Sequence, residues 1–535
     1  MDSNEIPNTN DNNGEEDHIP LVNRNSNETC DKRNNSTTGA TSFQAALSIA
    51  KAVMGAGSFA LPWSFKQAGY IAGPVLMFLF MILSVISLKL LVSCRYLAFE
   101  LASLRRKAKE EINGGDHGDD EEDYDHASNK DGGSQRNKEE KIFFASSYVD
   151  VAREAFGDAG AFVTYVASVL SSVGVCGSYL VFIASNIASL LHQRTATGGG
   201  EEGITGNGLH AALVLTVLPF AIALSSVKNA SHSAVSSLLG DVSVFLGMVV
   251  VIAYVALYGS GEGGEKEGDD DADLGSFSNH TPGEGCVGIG TIETIPLAFG
   301  SISFLFFIHF LMLPIESSML KPTDFPKTVS VTMFTCYLIS AIFGVSGYWF
   351  FGENTEQIVL LNVQGSKFVS CCKILLCIDL IFTYPVVMRP SIEIVERTLS
   401  TMALPAIFAT IFSNDCITEG VGVGRVCSQE ACRLSWWRRL TACVILGFIA
   451  ACAGLLIPSF ALFSGLVGGV CQTFLGFVFP PLMYLQLLHQ IRYHGKKKKG
   501  SASWSDYVTL MGIVMIGILI VLWTIKSTWS ELHTT

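Results

Sequence analysis

Charge is what this sequence has least of. Only 16% of its 535 residues are Asp, Glu, Lys or Arg, against about a quarter in soluble domains. Those few cluster in polar segments and leave the remainder nearly uncharged, with a mean hydropathy of +0.39. An ordinary soluble chain is excluded, and a polytopic membrane protein is expected. The start of the chain lacks the n-region, h-region and cleavage site of a signal peptide, so the first apolar span is taken as the insertion signal. The fourteen cysteines contain no pair with metal-ligand spacing, and no metal site is expected. Cys176, Cys336, Cys452 and Cys471 lie in apolar runs, where they act as small hydrophobes. Cys286, in a polar loop, is expected as a free thiol ahead of a disulfide to Cys371 or Cys372. No Ser/His/Asp, metal-ligand or nucleotide-phosphate constellation is present, which argues against an enzyme. The net charge of −13 comes mainly from loops, so no nucleic acid partner is expected.

What is there is a series of long apolar runs. Spans are expected at 43–65, 71–98, 158–191, 209–226, 234–258, 291–317, 329–351, 367–396, 440–457, 460–489 and 504–527. Each of these eleven is near or above the roughly 20 residues a helix needs to cross the hydrocarbon core. With the N-terminus in the cytosol, the cytosolic segments hold 25 basic residues and the opposite side three, Lys66, Arg194 and Lys266. By the positive-inside rule the N-terminus is cytosolic and the C-terminus is not.

The polar segments read as follows. Residues 1–42 are rich in Asn, Asp, Ser and Thr and are expected as a disordered cytosolic tail. The transmembrane domain is expected over 43–530, with a disordered cytosolic insertion at about 100–145 and an acidic non-cytosolic loop at about 259–290; 531–535 is a short non-cytosolic tail. The acidic loop reads first as a solvated surface and second as a cation-attracting vestibule. It contains the sequon Asn279-His280-Thr281, followed by Pro282.

Two spans carry their weakest residues in the middle. From Thr41 to Gly73 the chain reads TSFQAALSIAKAVMGAGSFALPWSFKQAGYIAG, with Gly55, Gly57 and Pro62. Five spans later IPLAFGSISFLFFIHFLMLPIESSM carries Gly300 to Ser303, His309 and Pro314. A broken span frees N–H and C=O groups, which lipid tolerates only where they face protein, water or a ligand. Breaks in corresponding spans of two halves point to a secondary-transporter site, with spans one to five and six to ten as inverted repeats. A half-helix starting inside the membrane suits a carboxylate, and the freed carbonyls of the other break suit an ammonium. An α-amino acid carries both groups. The competing reading is that Gly and Pro are common in membrane helices and serve here as packing kinks.

The stretch GAGSFALPWSFKQAGYIAGP resembles the first-helix signature of the amino acid/auxin permease family. FLFFIHFLMLPIESSM (304–319), GYWFFGENTEQIVLLNV (347–363), IFTYPVVMRPSIEIVE (381–396) and IPSFALFSGLVGGVCQTFLGFVFPPLMYL (457–485) are similar to later motifs of the same family. The resemblance covers about residues 41–530 outside the loops. It implies an all-α, LeuT-type fold of eleven transmembrane helices, a 5+5 inverted repeat with helices 1 and 6 broken and one accessory helix. It also implies amino acid transport driven by a cation gradient.

In the sodium-coupled relatives an Asn stands where this chain has Lys51, whose ammonium could occupy the place of a sodium ion. Thr383, which matches a hydroxyl used by those relatives, is retained. The proton-coupled branch carries a His where this chain has Ser48. A charge at the bilayer centre costs about 2.5 to 3.5 kcal/mol on insertion scales, so Asp379, Lys373, His309, Asp241, Glu293 and Arg389 are further candidates for the proton. Arg389 with Glu393 reads as a structural ion pair four residues apart, and Glu316 as a gating residue.

The reading is therefore a secondary active transporter of small neutral amino acids working by alternating access. Gly55, Ala56, Gly57 and Ser58 are expected to hold the carboxylate, and Gly300, Ser301, Ile302, Ser303 and Phe304 the amine and side chain. Lys51, Thr383, His309 and Asp379 are the candidates for ion coupling. The partners are an amino acid and the lipid bilayer; no cofactor is expected beyond a co-transported ion, a proton ahead of sodium, and no feature sets an oligomeric state. A sodium-coupled transporter and a non-transporting receptor or scaffold are the alternatives. An acidic stretch at Asp17 to Val22 approximates a dileucine sorting signal, and with the family's vacuolar and lysosomal members it favours an acidic organelle over the plasma membrane.

Overall fold

A computed structural model describes residues 39–113, 147–198, 206–227, 231–259, 285–363, 367–401, 423–457, 459–494 and 504–534. The sorting stretch, the sequon and most of residues 1–42, 100–145 and 259–290 lie outside the described residues.

The described chain is almost entirely helical. Its helices are α1 (Ser42–Val53), α2 (Leu61–Ala68), α3 (Ala72–Asn113), α4 (Tyr148–Gly198), α5 (Gly206–Ser226), α6 (Ser231–Gly259), α7 (Ile295–Phe306), α8 (His309–Ser318), α9 (Phe325–Phe351), α10 (Lys367–Thr401), α11 (Val423–Leu456), α12 (Phe460–Leu466), α13 (Phe479–His494) and α14 (Trp504–Thr534). Nine spans among the described residues are long and apolar enough to cross a membrane, and Ser42–Val53 with Ala56–Ala68, bent by 45°, make a tenth. In α6 the described apolar stretch, Val242–Ala256, is shorter; it stands where the fifth span was expected.

Boundaries differ from expectation where short-range chemistry extends a helix past the membrane. Helix α3 continues to Asn113 instead of giving way to a disordered insertion at 100. Its Leu-, Ala-, Arg- and Lys-rich end has strong helix propensity, and Arg105 donates to Glu154 at 2.9 Å and to Gln490 at 2.9 Å. Helix α4 begins ten residues early, with Gly157 in the left-handed region (φ 68°) separating the Tyr148 turn from the span. The expected tail at 531–535 is, up to Thr534, the end of α14. The sixth span starts only at Ile295, which leaves Glu293 in an exposed turn outside it.

Two apolar cores flank the broken spans. One joins α1, α2, α3, α7, α8, α9 and α13 around Ile49, Phe65, Ile302 and Met312. The other joins α4, α5, α6, α10 and α11 around Phe59, Phe182, Leu376 and Ile392. Inside a bilayer, packing and interhelical hydrogen bonds replace the hydrophobic drive between helices, so close backbone approach matters. The sharpest instance lies beside α7. A Cβ on Gly300 would stand 2.1 Å from the Gly465 carbonyl oxygen, and one on Gly468 would stand 2.1 Å from the Gly300 oxygen. Past α12 the chain widens into two π-helical stretches, Val467–Gln472 and Phe474–Val478, a form that recurs at functional sites.

Candidate functional site

The first break follows from the sequence between two good helices. Thr41 and Gln44 form a reciprocal cap at the start of α1. The helix ends at Met54, Gly55 is extended (φ −114°, ψ −157°), and a 3₁₀ turn over Ala56–Ala60 leads into α2, where Pro62 occupies a first-turn position. Such a restart leaves the first amides of the new turn, those of Ala56 and Gly57, without an intrahelical acceptor. A Cβ on Gly55 would meet no heavy atom within 4 Å, whereas one on Gly57 would lie 2.9 Å from the Phe304 ring.

The sixth span breaks later than its Gly-Ser run suggested. Helix α7 runs unbroken through Gly300, Ser301, Ile302 and Ser303 to Phe306; Phe307 (φ −87°, ψ 100°) and Ile308 are non-helical, and α8 restarts at His309. The last-turn carbonyls of α7, including those of Phe304 and Leu305, lose their intrahelical donors there. Gly300 to Ser303 turn away to neighbouring helices. Gly300 is the close crossing with Gly465, and Ile302 is fully buried in the core. Ser303 donates to the Gly468 carbonyl at 2.9 Å and lies 3.1 Å from the Thr473 hydroxyl.

Both breaks open on one cavity of about 260 Å³. Span one contributes Ser48, Lys51 and the run from Ala52 to Gly57; the sixth span contributes Phe304, Leu305, Phe307 and Ile308; α10 contributes Asp379 and Thr383. Of the residues expected to hold the substrate, Gly55, Ala56, Gly57 and Phe304 line this cavity. Ser58 and Gly300 to Ser303 do not line it; Ser58 and Ser301 are buried, each with a hydroxyl lacking a partner among the described residues.

The ionisable candidates separate in the same way. Lys51, Asp379 and Thr383 share the cavity, and the Thr383 hydroxyl donates to Asp379 at 3.2 Å. Asp379 is 6% exposed. His309 points elsewhere: its Nε2 lies 3.1 Å from the Ser87 hydroxyl and its ring stacks on Phe307. Ser87 gives its proton to the Gly476 carbonyl, so His309 Nε2 is the donor in their contact, and Nδ1 has no partner among the described residues. Lys373, fully buried, donates to Ser189 at 3.2 Å rather than pairing with Asp379. Glu316, with no exposed surface, is held by Arg95 and by the Tyr96 hydroxyl at 2.5 Å, tying α8 to α3. The side chain of Asp241 lies outside the described residues. The pair expected of Arg389 and Glu393 does not form: neither has an ion-pair partner among the described residues, and both line a second cavity.

Sequence reasoning passed over Gln472, Tyr179, Phe307 and Ile308, all of which line the first cavity. Gln472 is 2% exposed and its Oε1 has no partner among the described residues. A lone amide inside an apolar run, VGGVCQTFLGF, was the available signal. The cavity extends along α1 back to Ser48 and along α8 to Ile315, toward the side where α1 begins. There the backbone of Ala40 bridges α8's end, donating to Ser318 O at 2.8 Å and accepting from Leu320 at 2.9 Å. On the opposite side every residue from Ala56 to Phe65 is buried. That side is further joined by Lys66 donating to Glu353 O at 2.5 Å and Gly290 N–H donating to Ala68 O at 2.7 Å.

Known proteins resemble this chain over lengths from 37% to 92% of it. It is 26% identical to the amino acid transporter AVT3C of Arabidopsis thaliana over 92% of this chain and 90% of that one. It is 22% identical to vacuolar amino acid transporter 4 of Saccharomyces cerevisiae over 64% of this chain and 44% of that one. With the human vesicular inhibitory amino acid transporter it shares 23% identity over 37% of this chain and 34% of that one. Among solved structures, MhsT in complex with L-phenylalanine is 14% identical and aligns with a TM-score of 0.46 over 92% of this chain and 100% of that one. Residues 38–109 and 136–530 match the family described as transmembrane amino acid transporter protein, and the chain belongs to that family.

Proposed function

We propose that this chain carries a small neutral amino acid across the membrane of an acidic organelle by alternating access, with a proton as the co-transported ion. The observation that carries the reading is the meeting of two span breaks on one cavity of about 260 Å³. The freed amides of Ala56 and Gly57, at the positive start of a turn, receive the carboxylate; the freed carbonyls of Phe304 and Leu305 receive the ammonium. The cavity already holds one acid and one base, Asp379 and Lys51, which favours a substrate of no net charge. Its volume, about 260 Å³, falls just below the usual range of ligand pockets, about 300 to 1,000 Å³, which favours a small one.

Proton coupling is supported by a titratable pair on the substrate cavity, Asp379 and Lys51, where the ammonium stands in for a bound metal cation. Sodium coupling remains the second reading because the Asp379 carboxylate and Thr383 hydroxyl together offer hard oxygen donors. With the N-terminus in the cytosol, a cavity running toward the start of α1 and closed beyond Ala56 corresponds to an inward-facing state. The vacuolar and vesicular names among the relatives support an organellar membrane. The test is uptake by proteoliposomes under imposed gradients. A pH gradient should drive accumulation with sodium replaced by choline, and Asp379→Asn should remove the pH dependence. Accumulation driven by sodium and indifferent to pH would overturn the proton assignment.

A further inference from the structure

A second cavity, of about 310 Å³, lies between α10 and α11 and is lined by Arg389, Glu393, Glu396 and Arg439. Residues 389, 393 and 396 recur at helical spacing and share one face of α10. Arg389 stands 22 residues beyond Lys367, the start of α10. At about 1.5 Å per residue that is about 33 Å along the helix, comparable to a hydrocarbon core of about 30 Å. The cavity is therefore at headgroup depth. On α11, Trp436 and Trp437 are 46% and 45% exposed just before Arg439, as expected of aromatic residues at a membrane interface.

The two arginines of this cavity are only partly matched by its carboxylates. Arg439 is 5% exposed; its Nη2 donates to Ser225 O at 3.3 Å, its Nη1 is 3.8 Å from Glu396, and its Nε has no partner among the described residues. At 3.8 Å the Glu396 contact is an ion pair too long to be a hydrogen bond. Arg389 and Glu393 form no ion pair with each other or with any other described residue. Glu393 is exposed and Arg389 half-buried; Arg439 is the buried charge, and one with an incomplete set of partners is costly unless something else completes it.

Two guanidiniums and two carboxylates select against a purely anionic ligand, which would face both glutamates, and against a simple cation, which would face both arginines. They match a ligand with an anion at one end and a hydrogen-bonding ammonium at the other. Arginine's fork suits phosphate oxygens, and a primary ammonium has three protons to give to carboxylates. We propose that this cavity binds the headgroup of an ethanolamine-type phospholipid, with the phosphate between Arg389 and Arg439 and the ammonium between Glu393 and Glu396. The site is separate from the substrate cavity, and occupying it would join α10, which carries Asp379, to α11 on the face where both leave the membrane.

The experiment compares lipids retained by the purified full chain, by native mass spectrometry after extraction from membranes of equal phosphatidylethanolamine and phosphatidylcholine content. The trimethylated headgroup keeps the phosphate and loses the ammonium protons. One charge-assisted hydrogen bond is worth about tenfold, so the ethanolamine lipid should be enriched about tenfold on the wild-type chain. Glu393→Gln should reduce that preference to parity and Arg389→Gln should lower the retention of both lipids, each at a position without an ion-pair partner among the described residues and each leaving the melting temperature in phosphatidylcholine nanodiscs unchanged. Equal retention of both lipids by the wild type, a preference surviving Glu393→Gln, or unchanged retention in Arg389→Gln would overturn the proposal. Free phosphoethanolamine stabilising the chain in phosphatidylcholine nanodiscs as much as the whole lipid does would assign the site to a soluble zwitterion and overturn the lipid assignment.

Discussion

Replacing Gly55 by alanine separates the substrate site from the fold. Gly55 is extended, a conformation open to any L-residue, and its Cβ would meet no heavy atom within 4 Å. The substitution should therefore leave folding intact; Gly-to-Ala changes at compatible positions even stabilise by about 0.4 to 1 kcal/mol. The added methyl projects into the space where a carboxylate approaches the Ala56 and Gly57 amides. Losing one hydrogen bond to a charged group costs about 1.5 to 3 kcal/mol, about a ten- to hundredfold rise in the substrate concentration needed for half-maximal uptake. Gly57→Ala differs, because its Cβ falls 2.9 Å from the Phe304 ring and overpacking costs about 1 to 3 kcal/mol. Melting temperature in nanodiscs and substrate-dependent uptake in proteoliposomes, measured on both variants, read the two effects apart. A Gly55→Ala chain with unchanged melting and a half-saturation within about twofold of wild type would refute binding at this backbone.

Gly300→Ala should fail to give a stable bundle in a detergent melting assay, because the new carbon would press on the Gly465 carbonyl at 2.1 Å, where neither backbone can yield; a stable variant with altered substrate preference would contradict its packing role. Glu316→Ala should lower stability by about 3 kcal/mol, the low end of the cost of stripping a buried ion pair of one partner, since the mostly buried Arg95 loses its carboxylate and keeps only weaker contacts such as Leu313 O at 3.4 Å; chemical denaturation in nanodiscs measures it. Cys286, half-buried in the turn before α7, should react with an impermeant maleimide in sealed vesicles only from the side opposite the N-terminus. Burial pushes its thiol pKa up, so less thiolate is present at neutral pH and labelling should speed up as the pH is raised; a Cys286→Ser control isolates the signal, and labelling from the N-terminal side would reverse the topology.

The parts of this protein readable from its sequence are those fixed by composition over many residues. Apolar runs marked the spans to within a few residues at most ends, and Gly55, Gly57 and Pro62 marked the first break, because each weakens a helix by its own covalent chemistry. The second break was misplaced by the same logic. Gly300 to Ser303 looked weak, but their small side chains serve the crossing with Gly465 and Gly468, while the chain breaks at Phe307 and Ile308, two residues with no local signature of a break. That choice is made by tertiary packing, including Ser84 taking the carbonyl of Phe306 at 3.0 Å. Asp379 was recognisable as a misplaced charge in an apolar run, and Lys51 and Thr383 through the family resemblance, yet only the packing of the first span, the sixth span and α10 brings them to one cavity. His309 looked equivalent in sequence and is directed to Ser87 instead.

Counterflow is the most direct test of the central claim, because it requires a site that opens in turn to both sides and no driving ion. Proteoliposomes of the full chain, loaded with millimolar neutral amino acid and diluted into trace radiolabelled amino acid, should accumulate label transiently, and Gly55→Ala should demand a higher internal concentration for the same effect. Specific, saturable binding of the labelled amino acid to the purified chain with no counterflow would contradict transport and leave a receptor.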